Sequence, residues 1–282
     1  MKRLAFVIGS MLFVLTACNF PLIKPPNDQE MVATRVAATL FAAQTAVIPT
    51  NPPLVTDETA ISTEPPTLTP LPIDTATPTA TITAPANDPV LTLGAPGFSD
   101  TFSNGVSFGL TTPYQDDGML IKVENGSMVF KSLAVNAGRR WRLTSRNPKN
   151  LYLEGSFRTS SCSGTDQYGL VFRAPTYNDG IGYYFGVSCN GQYNFLRWDN
   201  SGSNTLLNWT PESRINAGSN QVNRLGVMAN EDTFRLYING LLVKELTDKG
   251  ITEKGYIGAF ASAFEDPNFT VLLEEISLWT LQ

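Results

Sequence analysis

The residue with the widest catalytic repertoire is missing from this chain. Its 282 residues include no histidine and three cysteines. A Ser-His-Asp triad, a Cys-His dyad, a histidine zinc site and a proximal haem histidine are all out of reach. Carboxylates remain for acid–base work, and they come in neighbouring pairs: Asp116-Asp117, Glu231-Asp232, Glu265-Asp266 and Glu274-Glu275. The first three fall in turn-like sequence, where solvation is expected. Glu274-Glu275 falls in apolar strand sequence, where a carboxylate could be aimed inward for catalysis or simply held by hydrogen bonds. The other candidates are flat rings beside planar polar groups, which stack on sugar faces. They are Trp198 in Arg197-Trp198-Asp199, Trp209 in Asn208-Trp209-Thr210, Tyr184, and Arg173 next to Phe172. Packing in the core or a loop is the competing role for such rings. The loop Asn178-Asp179-Gly180 could offer oxygens to calcium but lacks a spaced acidic series, and no other metal or cofactor is expected. A net charge of -5 gives no basic surplus for nucleic acid.

The third cysteine has a different neighbourhood. Met1-Lys2-Arg3 is a short positive start, and Leu4 to Leu15 is an apolar run too short to span a bilayer. It reads as a secretory signal peptide over 1–17. It ends in Leu15-Thr16-Ala17-Cys18, which resembles a bacterial lipobox. The resemblance implies cleavage before Cys18 and a lipid partner, a diacylglyceryl thioether, on its sulfur. At about 0.8 kcal/mol per buried methylene, two or three acyl chains hold where one would be marginal. The expected location is the cell envelope, anchored to a bacterial membrane and exposed outside the cytoplasm. In that oxidising compartment the remaining pair, Cys162 and Cys189, favours a disulfide. Two free thiols or a two-thiolate metal site are the alternatives.

Composition divides the chain beyond Cys18 into three regions. Residues 18–47 form a membrane-proximal tether, in which Val32, Val36 and Leu40 recur at helical spacing and favour a short helix. Residues 48–97 are a Thr/Pro-rich linker expected to be disordered. From Ile48 to Pro89, Pro and Thr fill 21 of 42 positions and there is no Lys or Arg. Such chain cannot offset its ordering entropy and stays extended. Residues 98–282 hold 25 of the 29 aromatics, enough for one sizeable core.

The elements that must position the candidate side chains read as strands. Asn125-Gly126, Asn190-Gly191 and Asn239-Gly240 each separate β-rich stretches, a strong signal for type I′ hairpins. Phe234, Leu236 and Ile238 alternate with polar neighbours, as do Tyr183, Phe185 and Val187. With Phe172 and Phe185 turned inward, strict alternation places Arg173 and Tyr184 outward. Arg197 or Trp198 joins them according to register. Near the C-terminus Val271 and Leu273 lie three residues out of step with Ile276 and Leu278, which predicts a β-bulge at Glu274-Glu275.

In order along the chain come Tyr168-Gly169-Leu170-Val171-Phe172-Arg173, Tyr183-Tyr184-Phe185, Gly191-Gln192-Tyr193, Asn223-Arg224-Leu225 and Phe234-Arg235-Leu236-Tyr237-Ile238-Asn239-Gly240. This series, with Gly255-Tyr256-Ile257-Gly258-Ala259-Phe260, resembles the laminin G-like, concanavalin A-like lectin/glucanase sandwich over roughly 98–282. The resemblance implies an all-β jelly-roll β-sandwich. Its glucanase members carry a Glu-x-Asp-x-Glu motif, which is absent here; others are keto-disaccharide hydrolases, and calcium is a habit of the family. Three functions are therefore expected in descending order. The first is a non-catalytic carbohydrate- or cell-wall-binding sandwich, with Arg173, Tyr184, Arg197, Trp198 and Trp209 as its contacts. The second is a protein-interaction or structural display module, and the third a glycoside hydrolase-like enzyme.

Overall fold

The computed structural model describes residues 84–282. The signal segment, Cys18, the expected helix near the membrane and most of the Thr/Pro-rich stretch lie outside the described residues. Fifteen strands succeed one helical turn, α1 (Val90–Leu93). In chain order they are β1 (Phe98–Asp100), β2 (Tyr114–Gln115), β3 (Met119–Glu124), β4 (Ser127–Ser132), β5 (Arg140–Thr144), β6 (Leu151–Ser161), β7 (Gln167–Ala174) and β8 (Gly182–Ser188). After these come β9 (Gln192–Asp199), β10 (Gly202–Pro211), β11 (Val222–Asn230), β12 (Thr233–Ile238), β13 (Leu241–Thr247), β14 (Tyr256–Ser262) and β15 (Thr270–Thr280). They form two antiparallel sheets. One has nine strands in the order β13-β12-β11-β6-β15-β4-β3-β2, with β1 beside β15; the other has six, in the order β10-β9-β8-β7-β14-β5. This is the expected jelly-roll β-sandwich.

Alternation explains why the sheets face each other. Leu153, Phe157, Leu225, Val227, Phe234 and Leu236 of the nine-stranded sheet meet Leu170, Phe172, Tyr183, Phe185 and Phe195 of the six-stranded sheet in one continuous core. Each such side chain contributes about 1.5–3 kcal/mol by leaving water. The rings of Phe172, Tyr183, Phe195 and Phe234 close its centre, with Tyr183 and Phe234 at 4.7 Å and Tyr183 and Phe195 at 5.6 Å between centroids.

The bulge in β15 is where the apolar spacing places it. Register against β6 shifts between Leu273 and Glu275, so Val271, Leu273, Ile276 and Leu278 all reach the core. The two carboxylates stay outside it. Glu274 pairs with Arg158 at 2.5 Å, and Glu275 accepts from the Ser99 and Ser277 hydroxyls.

Two of the three Asn-Gly turns have both central residues at positive φ, Asn125 (50°) with Gly126 (73°) and Asn239 (52°) with Gly240 (80°). The third does not. Only Gly191 (φ 82°) is left-handed, and its N–H closes a turn on the Ser188 carbonyl at 3.0 Å. Cys189 occupies the extra position of this three-residue loop and bonds to Cys162, with 5.3 Å between Cα atoms.

The folded unit begins earlier than composition suggests. Asp88 is buried and ion-paired with Arg224, and Val90 and Leu93 pack on Tyr152, Tyr237 and Trp279 of the nine-stranded sheet's outer face. The Trp279 indole N–H donates to the Gly94 carbonyl at 2.9 Å. Residues 88–94, assigned by composition to the linker, are thus part of the sandwich.

Candidate functional site

The outer face of the six-stranded sheet carries a second, smaller apolar cluster: Leu143, Val171, Tyr184, Leu196 and Phe260 with Trp141 against it. On β7, β8, β9 and β14 these residues alternate with the core set, and β5 adds Leu143 and Trp141. Just ahead of β5, Arg139 folds back over this cluster. Its guanidinium lies 4.3 Å from the centroid of Tyr184 and 5.0 Å from that of Phe260. Beside it is a depression of about 320 Å³, bordered by Arg139, Trp141, Gln167, Asp179, Tyr184 and Trp198. That volume lies at the small end of the range for small-molecule sites.

The loop between β7 and β8 forms one wall. The Trp141 indole N–H donates to the Tyr177 carbonyl at 2.9 Å, and the Tyr177 ring stacks on Tyr256 at 4.2 Å. Gly180 stands at φ 71° under the Trp141 ring, where a Cβ would come within 3.0 Å of the ring. The Tyr184 hydroxyl donates to the Gly180 carbonyl at 2.6 Å. Burial pushes that phenol up to about 12, against the pull of Arg139, so it holds its proton as a donor. On the opposite side, buried Asp166 accepts the N–H groups of Phe264, Glu265 and Asp266, fixing the loop that brings Phe264 to the rim.

Two polar atoms in this lining stand out. Among the described residues, the buried side-chain nitrogen and oxygen atoms without a hydrogen-bond partner are Arg139 Nε and Gln167 Oε1. Both border the same depression. Burying an unpaired polar group costs about 1–3 kcal/mol, more when it is charged. The cation–π contacts of Arg139 return about 0.5–2 kcal/mol. Burial accordingly lowers the Arg139 pKa. The two residues that carry this unused donor and acceptor line one aromatic-walled hollow.

The anticipated contacts divide. Trp198 is 39% exposed and borders the depression, as one of the two register options requires. Tyr184 is on the outer face, as alternation predicts, but it is buried beneath Arg139 and does not stand as an open platform. Arg173 is a correction. A bulge of β7 against β14 sets Phe172 and Arg173 opposite Ile257, and Arg173 takes φ 51°. Its guanidinium turns into the end of the core, where the carbonyls of Lys149, Ile251 and Glu231 accept at 3.2, 3.0 and 2.6 Å. Gly255 passes so close that a Cβ there would lie 2.4 Å from the Arg173 carbonyl carbon. Arg197 is a second correction: it shares the inward face of β9 and is locked between Asp199 at 2.7 Å and Asp248 at 2.6 Å. Trp209 is exposed on β10 and does not line the depression. Asp179 caps its own turn through the Ile181 N–H, and no group of three metal-ligating acidic, Cys or His side chains occurs among the described residues.

Sequence reading passed over Arg139, Trp141 and Gln167. The run Arg139-Arg140-Trp141-Arg142, cationic around one ring, was the available signal.

No protein-family model matches the chain, and no curated protein matches it. Solved structures do share its architecture. A protein of unknown function with a galectin-like fold from Bacillus subtilis superposes with a TM-score of 0.50 at 11% identity, covering 66% of this chain and 96% of that one. The fold is that of the galectin-like sandwiches. A carbohydrate binding module, CBM66 from Bacillus subtilis, gives 0.44 at 18% identity over 54% of this chain and 86% of that one. The catalytic domain of an endo-1,3-beta-glucanase (laminarinase) from Thermotoga petrophila gives 0.43 at 13% over 65% and 96%. At these identities the likeness is one of fold.

Proposed function

We propose that the chain is a lipid-anchored envelope protein whose sandwich binds glycans without cleaving them. The observation that carries this reading is the hollow on the six-stranded sheet, whose lining joins Trp141 and Trp198 with Arg139 and Gln167, each of which holds an unpaired polar atom. Flat rings with a few convergent polar groups suit a sugar, whose CH faces stack and whose hydroxyls need partners. The lining holds a single carboxylate, Asp179, whereas glycoside hydrolysis ordinarily uses two at about 5–10 Å. That favours binding over turnover. The lipobox at Leu15-Thr16-Ala17-Cys18 supports the anchor. A glycan array probed with the full chain tests the reading. Trp198→Ala should lose at least tenfold in affinity for whatever is bound, and Trp209→Ala should retain it. Binding that survives Trp198→Ala, or release of reducing ends from a bound glycan, would overturn it.

A further inference from the structure

We infer that the hollow selects acidic sugars, receiving the carboxylate of a uronic acid on Arg139; this rests on the glycan-binding function proposed for the same hollow. Four other arginines that are buried or half-buried are each answered within the fold. Arg140 meets Asp116 at 2.5 Å, Arg197 meets two aspartates, Arg224 meets Asp88 and Glu154, and Arg173 has three carbonyls. Arg139 is not: no carboxylate lies in ion-pair range among the described residues, its Nε is buried and unpaired, and its guanidinium lies over the Tyr184 and Phe260 rings.

The missing partner can be specified by chemistry. A guanidinium fork matches a carboxylate, which neutralises the charge and can take two N–H groups at once. Gln167 Oε1 is an acceptor, so the group beside that carboxylate must donate, as a ring hydroxyl does. Trp198 and Trp141 supply the stacking surface for the ring itself. A neutral sugar would satisfy Gln167 and leave the charge unanswered. A simple carboxylate would satisfy Arg139 and leave the rings bare. A uronic acid meets all three.

The next depression points to a polymer of such units. It shares Arg139 and Trp141 with the first and adds Arg142, Tyr114 and Asn178. Arg142 lies 3.8 Å over the Tyr114 ring and donates to the Trp141 carbonyl, and it too has no carboxylate in ion-pair range among the described residues. Nearby Asp116 is committed to Arg140, Tyr114 and two backbone N–H groups. The one opposing charge in the first hollow is Asp179, which is exposed and therefore screened by salt.

The test compares oligogalacturonate, oligomannuronate and hyaluronan oligosaccharides with the methyl esters of the same oligomers, titrated into the full chain and read by tryptophan fluorescence and calorimetry. Esterification removes the charge and keeps the sugar. At least one free acid should bind tenfold or more tighter than its ester, and the advantage should shrink as salt rises. Arg139→Gln should abolish that advantage, Arg139→Lys should retain part of it, and Asp179→Asn should strengthen binding. Asp179→Asn leaves Arg139 in place, so it reads the same electrostatics if an Arg139 variant fails to fold. Equal affinity for acid and ester, or neutral glycans bound while all three polyuronates are refused, would overturn the acidic selection and leave the glycan platform standing. Refusal of every glycan, charged or neutral, would overturn both.

Discussion

Arg173 holds three chain segments together at one end of the core. Its guanidinium donates to carbonyls of Lys149, Glu231 and Ile251, which lie ahead of β6, just past β11 and ahead of β14. Arg173→Ala leaves those acceptors unanswered and opens a cavity beside Phe234, whose ring the guanidinium covers at 5.2 Å. The expected loss is about 3–5 kcal/mol, from buried carbonyls left without donors together with the cavity. Urea denaturation measures it, and a loss under about 1 kcal/mol would mean that water replaces the side chain freely. Strict alternation put this residue on the solvent side, because nothing in Phe172-Arg173-Ala174 announces a non-glycine residue at positive φ. The same counting did place Tyr184 and Trp198 on the outer face. It could not foresee that Arg139, from a segment forty-odd residues earlier, would lie over Tyr184. Which face a side chain takes is a local property; what covers it is not.

At the scale of elements, the segment ahead of β1 matters most for what the sequence concealed. Residues 84–97 look like their Pro- and Thr-rich neighbours in composition, yet Asp88, Val90 and Leu93 dock on the nine-stranded sheet. The decisive partner is Arg224, on β11, and no local pattern connects the two. Asp88→Ala should cost about 2 kcal/mol, as for a hydrogen bond to a charged group, because Glu154 still holds Arg224. Limited proteolysis should then cut within residues 89–97, and the unaltered chain should resist there. Unchanged protection would show that the contacts of Val90 and Leu93 suffice alone. Hairpins and the β15 bulge were legible because their causes are local: Asn-Gly at positive φ, and two apolar pairs out of step. The Asn190-Gly191 turn departs from that rule because Cys189 joins the loop and ties it to Cys162.

Taken whole, the two-sheet arrangement was readable from alternation and turn spacing, and the ligand-sized hollow was not. Its lining comes from β5, β7, β8, β9, β14 and three loops, so it exists only after the sheet has formed. The disulfide works on the same scale. Cys162 comes just after β6 of the nine-stranded sheet and Cys189 just after β8 of the six-stranded one, so the bond fastens the two layers together. Its sequence separation is 27, and a loop of that length restricts the unfolded chain by about 3.5 kcal/mol on the chain-entropy model. Cys162→Ala with Cys189→Ala should lower stability in guanidinium by roughly that amount and leave glycan affinity within twofold. Loss of affinity in the folded double variant would mean that the bond also shapes the hollow.

Asp88 and α1 enter on the outer face of one sheet, and the hollow opens on the outer face of the other. The point where residues 88–94 dock and the hollow are separated by the full thickness of both layers. Under the proposed anchoring and glycan binding, tension between a bound surface and the chain's entry would run through the sandwich from side to side, and the first link it would meet is the Asp88–Arg224 ion pair. Within the described residues the sandwich is arranged like a rivet, with a head on each face and the apolar core as the shank in between.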